Sequence, residues 1–84
     1  MRTFKLKIVD PTQLLFDGDA QYCGIVTECG SMGIEAMHAP MVAVLKAGSE
    51  ITVRDADSTK KTIAVTEGLL SFSKNSCTII ATKR

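Results

Sequence analysis

Apolar and polar residues alternate along the first ten positions of the chain. Phe4, Leu6 and Ile8 are apolar, and a lysine separates each from the next. A period of two places the apolar side chains on one face of a strand and the lysines on the other. Proline cannot donate a backbone hydrogen bond to a ladder, so this strand is predicted to stop at Asp10-Pro11.

Short apolar or β-branched segments recur along the rest of the chain, with turn signals between them. This spacing predicts an all-β sandwich or barrel. The further strand segments are Leu14–Phe16, Tyr22–Thr27, Ile51–Val53, Thr62–Thr66, Leu69–Ser73 and Thr78–Ala81. The predicted turns and loops are Asp17-Gly18-Asp19, Gly30-Ser31-Met32-Gly33, Asp55–Ser58 and Lys74-Asn75-Ser76.

The segment Met41–Leu45 permits two interpretations. It is the best helical candidate in the chain, but Pro40 and Gly48 confine it to a length that is not stable as an isolated helix. A buried strand is equally compatible with its five apolar residues.

Composition indicates one small globular domain. The chain has 84 residues, of which 45% are hydrophobic and 23% are charged. A net charge of +1 supplies no strong field for nucleic acid or acidic lipid, and aromatic residues are too few for a base-stacking surface. No stretch approaches the roughly 20 apolar residues that span a bilayer, so any membrane association is expected to be indirect.

The cysteines and the single histidine do not form a recognisable reactive site. Three scattered cysteines favour a reducing compartment over a disulfide scaffold. Zinc sites usually bring two ligands close in sequence, and no such pair is present. Cys23 and Cys77 fall at inward positions of predicted strands and are expected to act as small hydrophobes. His38 is expected to fix a loop by hydrogen bonds or to line an interface.

Three classes of function therefore stay open from the residues alone. They are a subunit of a larger assembly, a free-standing binding module for a peptide or small ligand, and a small metal or thiol enzyme. The last is disfavoured, because no third group is placed to orient a cysteine–histidine pair.

Several motifs at nearly constant spacing resemble the epsilon subunit of bacterial F-type ATP synthases, and the resemblance covers about the whole chain. Several positions depart from the family: Ala36-Met37 replaces a usual Pro-Gly, Glu67 replaces a glycine, and Cys23 and Cys77 stand at positions that are usually aliphatic. The matching motifs are Phe4–Pro11, Leu15-Phe16-Asp17-Gly18, Gly30-Ser31-Met32-Gly33-Ile34, His38-Ala39-Pro40-Met41, Lys46-Ala47-Gly48 and Gly68-Leu69-Leu70.

The resemblance implies a flattened all-β sandwich or barrel of about ten short, mostly antiparallel strands. Residues 1–84 would form the N-terminal β-sandwich domain of the subunit, without its C-terminal helical hairpin. Such a domain is a non-catalytic rotor component that binds the gamma subunit and the membrane c-ring. It couples proton or sodium-ion transport to ATP synthesis, peripherally, on the cytoplasmic face of the bacterial inner membrane. No cofactor is expected, nor ATP binding without the helices.

The resemblance also implies two contact surfaces. An exposed apolar patch around Met37, Met41 and Val42 would suit a permanent partner. The residues predicted to face the c-ring are Glu28, Gly30, Ser31, Met32 and Gly33. The residues predicted to face the gamma subunit are Asp10, His38, Ala39, Met41, Val42 and Ala43.

Overall fold

The structure is a computed structural model that describes residues 2–84, and those residues form strands and turns without a helix. The prediction of an all-β fold is therefore confirmed. The seven strands are β1 (Phe4–Asp10), β2 (Gln13–Thr27), β3 (Gly30–Ile34), β4 (Met41–Leu45), β5 (Glu50–Asp55), β6 (Lys60–Ser73) and β7 (Ser76–Lys83).

One hydrophobic core fills the space between the strands. Phe4, Leu6 and Ile8 are fully buried while the lysines between them are exposed, which confirms the period-two prediction for β1. The rings of Phe4 and Phe72 meet edge to face in this core, with centroids 5.7 Å apart. Further buried residues come from the other strands, including Cys23, Ile25, Ile34, Leu45, Ile51, Val53, Val65, Leu70, Cys77, Ile79 and Ala81.

The strands close into a ring, which gives the molecule the character of a flattened barrel. The order is β1-β7-β6-β5-β2-β3, and β1 also pairs with β2. The β1–β7 pair is parallel and the other pairs are antiparallel. β4 pairs with β6 outside the ring. The shortest dimension of the molecule, 18 Å, fits two packed sheets.

The count of about ten strands is wrong, because two strands are long and serve both sheets. The first part of β2 pairs with β1, and its second part pairs with β3 and β5 after an irregularity between Ala20 and Tyr22. β6 changes partners in the same way around Val65–Glu67. Bulges let a strand bend without ending, so segments predicted as separate strands are continuous.

The predicted turn at Asp17-Gly18-Asp19 is wrong for the same reason. These residues lie inside β2, where they face β1 in an antiparallel register. Asp17 stands opposite Lys7, and Asp19 stands opposite Lys5 with a 3.1 Å ion pair. The acidic residues therefore match the charged outer face of a neighbouring strand rather than marking a turn.

Two other local predictions are settled differently. The segment Gly30–Gly33, predicted as a loop, forms most of β3, and the turn lies earlier, at Glu28 and Cys29. Met41–Leu45 is a strand, not a helix. The hairpin tips at Asp55–Ser58 and Lys74-Asn75 are confirmed as turns.

Candidate functional site: two docking surfaces

An apolar row crosses the outer face of one sheet. Val44 on β4 lies opposite Leu69 on β6, and Leu69 lies opposite Ile80 on β7. These three side chains are 68%, 44% and 57% exposed. Val9 on β1, which is half-buried, lies opposite Ile80 and extends the row to a fourth strand. We call Val9, Val44, Leu69 and Ile80 the apolar row.

Polar residues border the apolar row on both sides. On one side Ser71 of β6 faces Thr78 of β7, and on the other Glu67 of β6 faces Thr82 of β7. All four are exposed. An apolar centre with a polar rim is the usual arrangement of a protein–protein contact surface.

Sequence reasoning missed most of the apolar row. Leu69 and Ile80 were placed on predicted strands, but the exposure of a residue on a strand depends on which face packs inward. Phe72 stands between Ser71 and Ser73, and this alternation was an available signal, since it places Ser71 and, two residues before it, Leu69 on the outer face of β6.

The residues predicted to face the gamma subunit are spread around β1, β4 and the loop before β4. Val42 is 68% exposed, whereas Met41 and Ala43 are half-buried against the core. Ala39 is exposed. The expected patch therefore holds Met37 and Val42 at its surface, while Met41 faces inward.

Asp10 has an internal structural role. Its carboxylate accepts hydrogen bonds from the backbone N–H of Thr12 at 2.9 Å and of Lys83 at 2.8 Å. The hydroxyl of Thr12 donates to the same carboxylate at 2.9 Å. The bond from Lys83, followed by those from Thr12, lowers the pKa of Asp10. The side chain thus fixes the β1–β2 turn against the end of β7.

His38 fixes the loop between β3 and β4. Its ring nitrogen Nδ1 lies 2.8 Å from the carbonyl oxygen of Ala39, and its ring meets Phe72 edge to face at 5.8 Å. This agrees with the expectation of a loop-fixing histidine. The His38 side chain is half-buried, so part of it is accessible at the surface.

The backbone at Met37 is left-handed although the residue is not glycine. Its φ is 67°, and its side chain is 62% exposed. The backbone N–H of Met37 donates to the Asn75 side chain at 2.8 Å, and the Asn75 amide donates to the Thr3 carbonyl at 3.1 Å. The loop therefore has a conformation that glycine adopts most readily, and Asn75 holds it in place.

The residues predicted to face the c-ring lie on the β2–β3 hairpin. Glu28, Gly30, Ser31 and Gly33 are exposed, whereas Met32 is half-buried and packs against the core. The hydroxyl of Thr27 accepts from the Cys29 N–H at 3.1 Å and donates to the Gly30 carbonyl at 3.0 Å. The tip is therefore an ordered turn rather than a free loop.

An aromatic side chain covers the glycines of this hairpin. Gly24 and Gly33 face each other across β2 and β3, and the Tyr22 ring lies beside both. A Cβ at Gly33 would come within 2.7 Å of that ring. The guanidinium of Arg54 lies 5.7 Å from the ring centroid. The Tyr22 ring thus covers the part of the strand surface where Gly24 and Gly33 have no side chains.

The cysteines divide into two buried thiols and one exposed thiol. Burial raises the pKa of Cys23 and of Cys77 to about 12, with the charge of Cys77 adding to the effect at Cys23. Both face the core, which confirms the expectation of small hydrophobes, and Cys29 is exposed at the hairpin. Within residues 2–84, no three His, Cys, Asp or Glu side chains are grouped to hold a metal ion.

The fold and sequence place the chain in a known class of proteins. A family model described as ATP synthase, Delta/Epsilon chain, beta-sandwich domain matches residues 3–83. The chain belongs to this family, which confirms the resemblance seen in its motifs. No helix in the part of the chain that the structure describes could span a membrane.

Two relatives show how close the match is. The chain is 38% identical over 81 residues to the "ATP synthase epsilon chain, sodium ion specific" of Propionigenium modestum. It is 33% identical over 82 residues to the ATP synthase epsilon chain of Ruminococcus albus. These alignments cover 96% and 98% of this chain but only 58% and 60% of the relatives. The chain thus spans about three fifths of their length.

Solved structures support the same fold. A chain of the Euglena gracilis mitochondrial ATP synthase, in a structure of OSCP, F1 and the c-ring, superposes with a TM-score of 0.88. One from the central stalk and c-ring of the Tetrahymena thermophila mitochondrial enzyme superposes with a TM-score of 0.80. Identity is 18% in both; the matches cover 96% and 98% of this chain and 51% and 65% of those chains.

Proposed function

We propose that the chain is a non-catalytic component of the central stalk of a rotary ATP synthase. It binds the gamma subunit and the membrane c-ring, and it couples ion transport to ATP synthesis at sites on other subunits. It is peripheral to the membrane, on the cytoplasmic face in a bacterial cell. Residues 1–84 act as the N-terminal β-sandwich domain of the epsilon subunit. Membership of the family and the named relatives support this assignment.

The apolar row is the observation that carries the proposal. A small closed barrel that exposes large aliphatic side chains on three adjacent strands, with the half-buried Val9 on a fourth, has a surface suited to a protein partner. We assign this surface, together with the neighbouring residues predicted from the sequence, to the gamma subunit. Those neighbouring residues are Asp10, His38, Ala39, Met41, Val42 and Ala43.

The β2–β3 hairpin is assigned to the c-ring. Its tip projects exposed polar groups on a turn held by Thr27, and Tyr22 packs over its glycines. A stiff hairpin suits a contact that transmits torque, because close-packed groups transmit strain. The residues involved are Glu28, Gly30, Ser31, Met32 and Gly33.

The gamma contact is tested by a charge substitution on β7. Ile80→Glu places a carboxylate in the apolar row, and we expect it to weaken binding of the purified chain to gamma at least tenfold. Thr62→Glu is the control, since Thr62 is exposed on β6 but pairs with β5, which contributes nothing to the apolar row. Titration calorimetry of both variants provides the measurement. Equal affinities for the two variants would exclude the apolar row as the contact.

The ring contact is tested at the hairpin tip in membranes. Ser31→Arg adds a bulky charge at an exposed position, whereas Met32→Glu would also disturb the core. We expect Ser31→Arg to reduce ion-driven ATP synthesis while the chain remains folded. Asp57→Arg, at the β5–β6 hairpin tip, is the control and should retain synthesis. Full coupling in Ser31→Arg would reject the hairpin as the ring contact.

A further inference from the structure

We infer that the free edge of β4 accepts an extended segment of the stalk partner as an added strand. The bonding groups would be the backbone N–H and C=O of Val42 and Val44. The inference rests on the proposed function, because it assigns a binding mode to the partner that contacts the apolar row.

The pairing of β4 leaves one of its edges open. Among the described residues, β4 forms a ladder with β6 alone. Just past its end, Lys46 donates its backbone N–H to Val26 of β2 at 2.7 Å. Backbone groups alternate sides along a strand, so those of Val44 and Val42 point to the same side as Lys46. These groups therefore point away from β6, and apart from the Lys46 bond no strand within residues 2–84 pairs with that edge.

The open edge lacks the features that usually protect such edges. Proteins block exposed edges with charged side chains, prolines or bulges. β4 consists of five apolar residues in a regular register with β6. Pro40 and Lys46 flank it but do not interrupt it. The side chains of Val42 and Val44 are both 68% exposed.

A groove of about 430 Å³ runs along this edge. It separates β4 from the β2–β3 hairpin, and Met32, Met41 and Cys29 contribute to its walls. An added strand would lie about 4.8 Å from β4, with alternate side chains directed toward these walls. Methionine adapts its shape to varied contacts, so the groove tolerates an irregular apolar segment.

The edge of β4 is too short to hold any partner by itself, so its occupant must also cover a neighbouring surface. Five residues of strand extend about 17 Å, whereas specific interfaces bury roughly 1,200–2,000 Å² in total. The edge alone is too small to hold a free partner. Val44 belongs both to the edge and to the apolar row, so one partner can cover the two surfaces together. Glu28 at the groove favours a basic residue in the segment.

Backbone hydrogen exchange gives the direct test. Amide exchange is measured by NMR for the chain alone and for its complex with the gamma subunit. We expect the amides of Val42 and Val44 to exchange rapidly in the free chain and at least tenfold more slowly in the complex. The amide of Ala43, which points to β6, should be protected in both. Added-strand binding is known from other proteins to rely on such main-chain bonds.

A substitution provides the second measurement. Val42→Pro removes the outward donor, and edge strands tolerate proline at such positions. We expect it to weaken gamma binding at least tenfold, while Val42→Thr, which keeps the donor and the branched shape, stays within about threefold.

The outcomes separate the two proposals. A complex that leaves Val42 and Val44 unprotected, or that binds Val42→Pro normally, overturns the added strand and leaves the stalk role intact. Failure to bind gamma at all overturns both. Protection of the same amides by self-association, with no gamma present, overturns the assignment of the edge to the stalk partner.

Discussion

The carboxylate of Asp10 accepts a hydrogen bond of 2.8 Å from the backbone N–H of Lys83, 73 positions further along the chain. This bond joins the end of the first strand to the end of the last. The same carboxylate closes the turn at Thr12. Asp10 therefore stabilises the fold whether or not it also contacts a partner.

The bond to Lys83 predicts a dependence of stability on pH. Because the pKa of Asp10 is lowered in the folded chain, the ionised form is favoured by folding. The stabilisation is complete above the ordinary carboxyl pKa of 3.8 and is lost as the pH falls below it. We expect Asp10→Asn to have a lower urea midpoint than the wild type at pH 7. At pH 2–3 the difference between the two midpoints should be smaller.

The control for this measurement is Asp57→Asn. Asp57 lies exposed at the β5–β6 hairpin tip, and its carboxylate accepts none of the bonds that hold Asp10. Its urea midpoint should follow that of the wild type at every pH. A constant difference between Asp10→Asn and wild type from pH 7 to pH 2 would contradict the assignment.

The packing of Tyr22 over Gly33 predicts a coupled pair. Gly33→Ala would place a Cβ 2.7 Å from the ring and should destabilise the chain by about 1–3 kcal/mol, as overpacking does. Truncating the ring removes the obstacle, so Gly33→Ala should cost less in a Tyr22→Ala background. Urea unfolding of the two single variants and the double variant measures the coupling.

Gly18→Ala is the matched control for Gly33→Ala. A Cβ at Gly18 would meet the Phe16 ring at 3.9 Å, an ordinary contact. This variant should unfold near the wild-type midpoint or above it, since alanine restricts the unfolded chain more than glycine. Strictly additive effects of Gly33→Ala and Tyr22→Ala would show that the ring does not limit this position.

The left-handed backbone at Met37 predicts a stabilising substitution. A non-glycine residue in this conformation costs roughly 1–2 kcal/mol, and glycine recovers most of that at an entropic cost of about 0.5–1 kcal/mol. Met37→Gly should therefore raise the thermal midpoint slightly. Ala36→Gly, whose backbone is not left-handed, should lower it. An equal loss of stability in the two variants would argue against backbone strain at Met37.

The thiols predict a stepwise reaction with a thiol reagent. Of the three thiols, only Cys29 is exposed. Burial raises the pKa of Cys23 and of Cys77 to about 12, so both thiols stay protonated at pH 8. One equivalent should react in the folded chain and three in denaturant. Cys29→Ser should leave no rapidly reacting thiol. A fast second equivalent in the folded chain would show that the core opens readily.

Sequence periodicity predicted the core more reliably than the turns. The alternation in β1 identified Phe4, Leu6 and Ile8, because burial of one face follows from a period of two. Turn composition misled at Asp17-Gly18-Asp19, where the acidic residues are paired across strands with lysines. Such pairing depends on a register set by residues distant in sequence.

The contact surfaces were only partly accessible from the sequence. Family motifs led to Val42 and to the β2–β3 hairpin, and their roles as contacts stay predictions. Leu69 and Ile80 were not identified, since their adjacency to Val44 arises from the pairing of three strands. Asp10 was assigned to a partner, but its bond to Lys83 exists only in the folded chain.

The parallel pairing of β1 with β7 has a consequence for how the chain reaches its native state. The first strand meets its second neighbour only when residues near position 80 are present. A nascent chain on the ribosome therefore carries an incomplete ring until synthesis of this segment ends. Contacts between such distant residues form slowly. We expect closure of the ring to limit the refolding rate.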